Sequence, residues 1–389
     1  MPTPKGTPAT SVGTSRSSSS GRTARSWRDS ARWSRPTTRR FVRRSPPPSA
    51  EFDNTESDHA SRTPMMRMPA EFAAHERTVM CWPTRAALYE GRFAEAKRAH
   101  ASVARTISGF EPVTMIADAA DVGDAARQCG DGVEVVALPI DDSWFRDTGP
   151  IYVSGAGLRE GTCWKFNSWG EKYLPYDNDA KIAAAWLASR GERARSIDMV
   201  LEGGSLTTNG DGTLVTTEQC LLNPNRNPHL SRTDIETWLC RELGQERIVW
   251  LPHGLHLDDG TDGHVDNVAA FASREVLVMQ GCDEPREPDH ERMLANRRVA
   301  ERAGFTVREI PVLPFSEVDG RRVVVPYANF YVVNGGVIVP VCGHAADDDV
   351  LALIAEWFPG REVVGLDVGE VLAFGGGGIH CITQQVPAV

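Results

Sequence analysis

The sequence lacks long apolar segments and closely paired cysteines. No apolar run is long enough to cross a bilayer as a helix, so a membrane-spanning protein is not expected. The eight cysteines never form a CxxC pair, and their wide spacing fits neither a disulfide framework nor a zinc knuckle. Because no secretory segment is evident either, we predict a reducing, cytoplasmic location.

Motifs for common metals and cofactors are missing as well. The stretch 258–263 lacks the third-position acid of an EF-hand loop, and no Glu stands at the twelfth position. The glycines at 375–378 precede neither the Lys-Ser/Thr of a phosphate-binding loop nor the last glycine of a dinucleotide motif. His264, His380 and Cys381 offer zinc-type donors, but no pair has a usual ligand spacing. We therefore predict no metal and no organic cofactor.

Charge is distributed unevenly along the chain. The net charge is −10, yet residues 1–64 are basic and the remainder is strongly acidic. An acidic body disfavours binding to nucleic acid and to anionic membranes. It mildly favours a cationic small substrate through electrostatic steering.

Residues 1–64 are rich in Ser, Arg, Thr and Pro and poor in aliphatic residues. Such a segment cannot bury enough surface to offset its ordering entropy, so we predict a disordered tail. A basic arm that binds nucleic acid is an alternative. A translation start placed too early is another account, because Met65, Met66 and Met68 stand just before globular-looking sequence. We predict that residues 65–389 form one catalytic domain.

Short apolar segments alternate with helical patterns from Pro69 onward, which indicates an α/β fold. Predicted helices lie near 92–109, 179–190, 232–243, 289–303 and 346–358. The last three start about 57 residues apart, and the helix before them starts about 53 residues earlier, which suggests a repeated strand–strand–helix unit. Predicted strands are Thr78–Trp82, Val113–Ile116, Val133–Leu138, Thr213–Thr217, Ile248–Leu251, Val268–Phe271, Val276–Gln280, Val323–Pro326 and Val337–Val341.

Polar clusters interrupt this pattern beside glycines or strand ends. The most conspicuous is a thiol, Cys381, that follows a run of four glycines, an arrangement that lets backbone approach a ligand closely. The others contain Trp144 and Asp147, Glu202, His264 and Asp266, and Asn329. In extended form, the segment before the strand would point His264 and Asp266 to the same side. Each has an ordinary explanation: a turn at Asp147 to Pro150, a loop acid, a structural histidine, an inert core thiol.

Together, one thiol, one imidazole and three acids suit attack on a guanidinium. Its carbon is a poor electrophile because three nitrogens share the charge, so a thiolate nucleophile is needed. Carboxylates can hold the planar cation in bidentate fashion. A histidine can protonate the departing ammonia and then activate water.

The same clusters resemble the agmatine deiminase family, within the guanidine-modifying group that also includes the bacterial peptidylarginine deiminases. The resemblance runs from Met68 to Gln385, and residues 1–64 lie outside it. It rests on these ordered blocks: Met68 to Phe72, Trp144 to Pro150, Leu201 to Ser205, Glu218 to Pro228, Thr261 to Asn267, Asn329 to Tyr331, and Ile379 to Gln385. One departure is Gly378, where the family often has Asn.

The resemblance implies a pentein fold, a five-bladed α/β propeller with its site in the central channel. Cys381 then resembles the nucleophile, His264 the general acid/base and Glu202 the acid that orients it. Asp147 and Asp266 resemble the carboxylates that hold the guanidinium. Trp144 is expected to wall the pocket.

The expected activity is hydrolysis of agmatine to N-carbamoylputrescine and ammonia, a step of polyamine biosynthesis. A deiminase that acts on free arginine or on arginine side chains of peptides is the alternative, because the catalytic residues would be the same. A catalytically silent pentein used for binding is a third reading. A homo-oligomer is expected from the resemblance alone.

Overall fold

The computed structural model describes residues 38–41 and 66–389. These residues all belong to one compact unit, Pro36–Val389. Within the segment predicted to be disordered, Thr38–Phe41 form a strand, so the prediction does not hold for these four residues. The rest of residues 1–64 lies outside the described residues, and the domain boundary there stays a prediction.

Strands and helices alternate along the described chain. The strands are β1 (Thr38–Phe41), β2 (His75–Cys81), β3 (Val113–Ala117), β4 (Val133–Ala137), β5 (Ile151–Gly155), β6 (Leu158–Lys165), β7 (Ala194–Val200), β8 (Thr207–Thr208), β9 (Thr213–Thr217), β10 (Arg247–Leu251), β11 (Ala269–Phe271), β12 (Val276–Gln280), β13 (Thr306–Ile310), β14 (Phe315–Val318), β15 (Arg321–Val324), β16 (Tyr331–Val333), β17 (Gly336–Val341), β18 (Glu362–Asp367) and β19 (Thr383–Pro387). The helices are α1 (Ala86–Tyr89), α2 (Phe93–Ile107), α3 (Val122–Cys129), α4 (Phe145–Thr148), α5 (Ser168–Glu171), α6 (Asp179–Arg190), α7 (Glu218–Leu221), α8 (Arg232–Leu243), α9 (Pro288–Arg302), α10 (Asp347–Trp357) and α11 (Gly369–Gly375). Each predicted strand and each predicted helix overlaps an observed one.

Five sheets share one strand pattern, in which an antiparallel pair is followed by a parallel pair. They are β19–β2–β3, β5–β6–β7, β8–β9–β10, β11–β12–β13 and β16–β17–β18. The first is extended by β4 and the last by β1, while β14 and β15 form a separate hairpin. The fold is therefore mixed α/β, with a repeated unit as the sequence spacing suggested.

A helix joins the two parallel strands in each of these sheets, because parallel neighbours require a crossover connection. The five helices are α2, α6, α8, α9 and α10, in the order of the sheets above. α8 begins as the sequence predicts: Ser231 and Asp234 form a reciprocal capping box that satisfies backbone N–H groups at the helix start.

The core is made of apolar strands covered on both faces. Every residue of β3 and of β17 is buried, which matches their nearly continuous apolar sequences. Among the described residues, no helix has the length and apolar character needed to span a membrane.

Loops at corresponding positions of the five sheets carry the polar clusters. Each loop leads into the first strand of its sheet: residues 142–150 lead into β5, 201–206 into β8, 258–267 into β11, 327–330 into β16, and 376–382 into β19. The repeated unit thus explains how side chains far apart in sequence come to one place.

Candidate active site

Cys381 lies in the loop between α11 and β19, and its side chain is buried. The thiol donates a hydrogen bond to Oδ2 of Asp266 over 3.5 Å. Nδ2 of Asn329 donates to the Cys381 sulfur over 3.3 Å. The sulfur therefore contacts polar side chains from two other loops, while Cys381 also packs in a buried apolar cluster with Trp144 and Ile382.

Burial, followed by the charges of Asp266 and Asp147, raises the pKa of the Cys381 thiol well above its usual value. The thiol form therefore dominates in the empty site. A cation beside Asp266 and Asp147 would offset their negative charges, lower the pKa of Cys381 and favour the thiolate.

His264 is fully buried between two acids. Its Nδ1 lies 3.8 Å from Oδ2 of Asp147, and its Nε2 lies 3.8 Å from Oε2 of Glu202. Neither ring nitrogen has a hydrogen-bond partner within the described part of the chain. Burial lowers the pKa of His264, but the negative charge of Asp147, followed by Cys220 and then Glu202, outweighs it, and the net pKa is well above the usual value.

His264 and Asp266 converge for a reason that differs from our expectation. An extended strand would place both side chains on one side, but Val265–Asn267 form a single 3-10 turn. Asp258 organises this loop by accepting hydrogen bonds from the backbone N–H of His264 and from Asn267.

Glu202 follows β7 and is also fully buried. Nε of Arg226 donates to its Oε1 over 2.6 Å, and the same guanidinium reaches Asp262 and the Thr261 carbonyl. Burial raises the pKa of Glu202, but Arg226 and then His264 outweigh it, so the net pKa is lowered. Arg226 therefore keeps Glu202 ionised and connects it to the loop that carries His264.

Asp147 and Asp266 approach the same point from different loops. Asp147 accepts hydrogen bonds from the Gly204 N–H over 2.8 Å and from the indole N–H of Trp169 over 3.0 Å. A Cβ on Gly204 would lie 2.6 Å from His264 Nδ1, 2.8 Å from Asp147 Oδ1 and 2.9 Å from Asp266 Oδ2. Glycine at 204 is thus what allows the imidazole and two carboxylates to converge.

The two carboxylates differ in their electrostatics. Burial raises the pKa of Asp147 to about 6, against an opposing effect of His264. For Asp266, burial also raises the pKa, but hydrogen bonding and charge from His380 outweigh it and the net pKa is lowered. Oδ1 of Asp266 has no hydrogen-bond partner among the described residues, so it is free to accept from a ligand.

Trp144 and Trp169 wall a small cavity of about 20 Å³ that also touches Asp147 and Cys381. Trp144 additionally packs against Gly377, where a Cβ would collide with its ring. A larger cavity of about 390 Å³ shares Leu88, Tyr173 and Gly375 with the small one and leads outward. The thiol therefore lies at the inner end of a funnel with aromatic walls.

The structure brings all six predicted site residues together, namely Cys381, His264, Glu202, Asp147, Asp266 and Trp144. Four neighbours received no role in the predicted site: Trp169, Arg226, Asn329, which was noted only as part of a polar cluster, and His380, which was considered only as a zinc donor. Arg226, Asn329 and His380 stand inside the blocks that carry the family resemblance, so that signal was present in the sequence. Trp169 lies outside those blocks. Its position depends on a left-handed backbone conformation, with φ 54°, that is not predictable from a tryptophan in the sequence.

One group of donors could hold a metal ion. Ligand atoms of Glu202, Cys220 and His264 lie within 4.8 Å of one another, and all three residues are buried. The guanidinium of Arg226 already binds this carboxylate. The predicted absence of a metal stays a prediction.

The geometry suits attack on a planar cation. Two carboxylates can accept its N–H groups, the thiol lies beside one of them, and the imidazole can move a proton at the point where the carboxylates meet. The roles of the individual residues stay predictions.

Comparisons with known proteins agree with this chemistry. The family model described as Porphyromonas-type peptidyl-arginine deiminase matches residues 67–387. The chain is 40% identical over 352 residues to an agmatine deiminase of Pseudomonas fluorescens, a match that covers 82% of this chain and 95% of that protein. An agmatine deiminase of Pseudomonas aeruginosa is also 40% identical, over 353 residues, with 83% and 95% covered.

Solved structures give the same result. The agmatine deiminase of Enterococcus faecalis superposes with a TM-score of 0.79 at 32% identity, covering 83% of this chain and 96% of that one. A cysteine-to-serine variant of the C. jejuni agmatine deiminase with substrate bound also gives 0.79, at 25% identity, covering 86% and 99%.

Proposed function

The chain belongs to the Porphyromonas-type peptidyl-arginine deiminase family, and from this premise we propose that it hydrolyses agmatine to N-carbamoylputrescine and ammonia. Curated relatives that are 40% identical over most of the chain are named agmatine deiminases. The observation that carries the proposal is the meeting of a thiol, an imidazole and two carboxylates beside a cavity that Asp147 and Cys381 line.

Binding comes first in the proposed mechanism. Asp147 and Asp266 accept hydrogen bonds from the guanidinium nitrogens, while Trp144 and Trp169 enclose the cation. The arriving positive charge offsets the two carboxylates that raise the pKa of Cys381. The thiol therefore gives up its proton after the substrate is in place.

The first half-reaction forms a covalent intermediate. The Cys381 sulfur forms a bond to the guanidinium carbon and its proton is lost to solvent, while the charged His264 donates its own proton to one terminal nitrogen. That C–N bond then breaks, ammonia leaves, and a positively charged amidino-thioether remains. Glu202 orients His264 throughout, and Arg226 holds Glu202 ionised.

The second half-reaction consumes water. His264 accepts a proton from water as its oxygen attacks the same carbon, and the C–S bond breaks to release the ureido product. The sulfur leaves as the thiol, and the proton set free converts ammonia to ammonium. No metal or organic cofactor takes part in these steps.

A five-bladed pentein propeller is the arrangement that best fits the repeated sheets. Each of the five shares the same strand order, and each is entered through a loop that carries residues of the site. Radial repetition of such units around an axis would place those loops at a common centre. We further propose a cytoplasmic homo-oligomer that serves polyamine biosynthesis, with no nucleic-acid or membrane partner.

Deimination of arginine or of arginine side chains in peptides is the second candidate. The description of the matching family supports it, and so does the larger cavity, whose lining includes both acids and arginines, among them Glu90, Asp259, Arg321 and Arg322. Agmatine ends in an ammonium, which an acid can bind, whereas arginine adds a carboxylate at that end, which an arginine of the cavity can bind.

A comparison of three substrates tests the proposal. Purified protein is incubated with agmatine, arginine and a blocked arginine peptide, and ammonia and ureido product are measured. We expect turnover of agmatine with a kcat/KM well above the other two. Preferential turnover of arginine or peptide would support the second candidate, and no turnover of any of the three would refute the chemistry.

A further inference from the structure

His380 lies between two carboxylates and has no part in the mechanism above. Its Nδ1 is 2.8 Å from Oδ2 of Asp266, and its Nε2 is 2.8 Å from Oε2 of Glu71. A neutral imidazole has one N–H, so it can donate to only one of these acceptors. Two short contacts to ionised carboxylates therefore require both ring nitrogens to carry a proton.

Glu71 is in turn held in place and charged. Its Oε1 accepts the N–H of Val332 over 2.9 Å, and its Oε2 accepts from Nη2 of Arg146 over 3.1 Å. Burial raises the pKa of Glu71, but His380 and then Arg146 outweigh it and lower the pKa to about 2. Asp266, His380, Glu71 and Arg146 thus form a row of alternating charge, of which Glu71 is the partly exposed member.

The row ends at a third cavity. This cavity touches Asp266, His380 and Glu71, and it shares no lining residue with the two cavities of the funnel. Oδ2 of Asp266, which accepts from His380, is also the oxygen that accepts the Cys381 thiol. His380 therefore acts on the substrate-binding carboxylate from behind.

We propose that His380 is a positioning residue, whose imidazolium keeps Asp266 ionised and correctly aimed at the substrate, and that Glu71 keeps this imidazolium charged. The proposal rests on the proposed function, because Asp266 is assigned there to hold the guanidinium. It adds a pH-sensitive element that controls substrate binding through a residue outside the funnel.

The groups that face His380 from each packed element fix the sign of the pH effect. Besides Asp266 and Glu71, these are Arg146 and the ring of Tyr331, 6.5 Å away. Burial and Arg146 lower the pKa of His380, but Glu71 and Asp266 outweigh them, so the net pKa is raised. The His380 ring is charged at pH values below its own pKa. As pH rises through that pKa, the ring loses one proton, and either Asp266 or Glu71 loses its hydrogen-bond donor.

The first test is the pH dependence of kcat/KM for agmatine in wild-type protein and Glu71→Gln. Removing the negative charge of Glu71 should lower the pH at which kcat/KM falls on the alkaline side of the profile, by about one pH unit or more. Activity below that limb should be largely retained. Glu76→Gln is the matched control, since Glu76 is also paired with an arginine, Arg159, but lies on the surface. An unmoved limb in Glu71→Gln would overturn the proposal.

The second test uses His380→Gln, which keeps a hydrogen-bond donor but no charge. We expect KM for agmatine to rise at least tenfold, with a smaller change in kcat, because Asp266 binds substrate. An unchanged KM in the folded variant would contradict the proposal. If this variant does not fold, the Glu71→Gln profile still decides.

A readout independent of turnover separates this proposal from the proposed function. Histidine NMR titration of Cys381→Ala protein, with His380 assigned by the signal that His380→Gln loses, should show a pKa above the ordinary histidine value that falls in Glu71→Gln. Wild-type protein that titrates in this way but does not turn over agmatine would refute the proposed function alone. Normal agmatine turnover with a neutral His380 would refute the positioning role alone.

Discussion

Gly204 is the residue whose change should separate activity from stability most clearly. A methyl group at this position would lie 2.6 Å from His264 Nδ1 and within 2.9 Å of both Asp147 and Asp266. Ordinary contact begins at 3.4 Å, so these side chains must move by several tenths of an ångström or more. A misplacement of catalytic groups on the order of 1 Å costs roughly 100-fold in rate. We therefore expect Gly204→Ala to lower kcat/KM for agmatine about 100-fold.

The same substitution should affect stability much less. Alanine reduces the entropy of the unfolded chain, which stabilises by about 0.4–1 kcal/mol, whereas overpacking costs about 1–3 kcal/mol. The melting temperature should therefore fall by only a few degrees.

Gly123→Ala in α3 is the matched control, because its Cβ would meet only Arg127 Nη1 at 3.5 Å. It should keep wild-type kinetics and equal or higher thermal stability. The assay is ammonia release at several agmatine concentrations, with circular dichroism melts of both variants. Retention of activity within about fivefold by Gly204→Ala would refute the inference that 204 must be glycine for the site to assemble.

Three further outcomes follow from the site. Cys381→Ala should lower ammonia release by several powers of ten, since no other group can form the covalent intermediate; near-normal release would exclude the nucleophile assignment. Burial raises the pKa of Asp147 to about 6, so kcat/KM should fall as pH drops through that value and the carboxylate is protonated, and a flat profile there would contradict its binding role. Arg226→Met should destabilise the protein by about 3–5 kcal/mol in denaturant titrations, because Glu202 is left buried and unpaired. Adding Glu202→Gln should restore much of that stability but not the activity, and no recovery of stability would argue against the pairing.

The polar loops were predictable because they place charged residues next to apolar strands and glycines. Asp147, Glu202, His264 and Asp266 stand beside glycines or strand ends, where charged groups are costly unless they are used. Their order along the chain also matched a known family. The conformation of the loop that carries His264 and Asp266 was not predictable, because its residues are compatible with both a 3-10 turn and an extended segment.

Some strands were not predictable, for a physical reason that β19 illustrates. Its Thr383, Gln384 and Gln385 are polar, yet all three are buried. Gln385 accepts a hydrogen bond from Arg146, and Thr383 donates to the Ile379 carbonyl, so tertiary partners replace the apolar pattern that periodicity looks for.

His380 shows the same limit within the site. A histidine next to a cysteine suggests nothing specific by itself, and its partners Asp266 and Glu71 lie 114 and 309 residues away in sequence. Only the fold brings the three together. Trp169 is similar, because its contact with Asp147 depends on an unusual backbone conformation.

Selective labelling of the thiols tests the central claim most directly. Protein is treated with a haloacetamidine, an alkylating mimic of guanidinium, with and without excess agmatine, and each cysteine-containing peptide is quantified by mass spectrometry. We expect rapid modification of Cys381 ahead of the other seven cysteines, and protection of Cys381 by agmatine. Slow labelling of Cys381, or labelling that agmatine does not prevent, would contradict a guanidinium-binding site around this thiol.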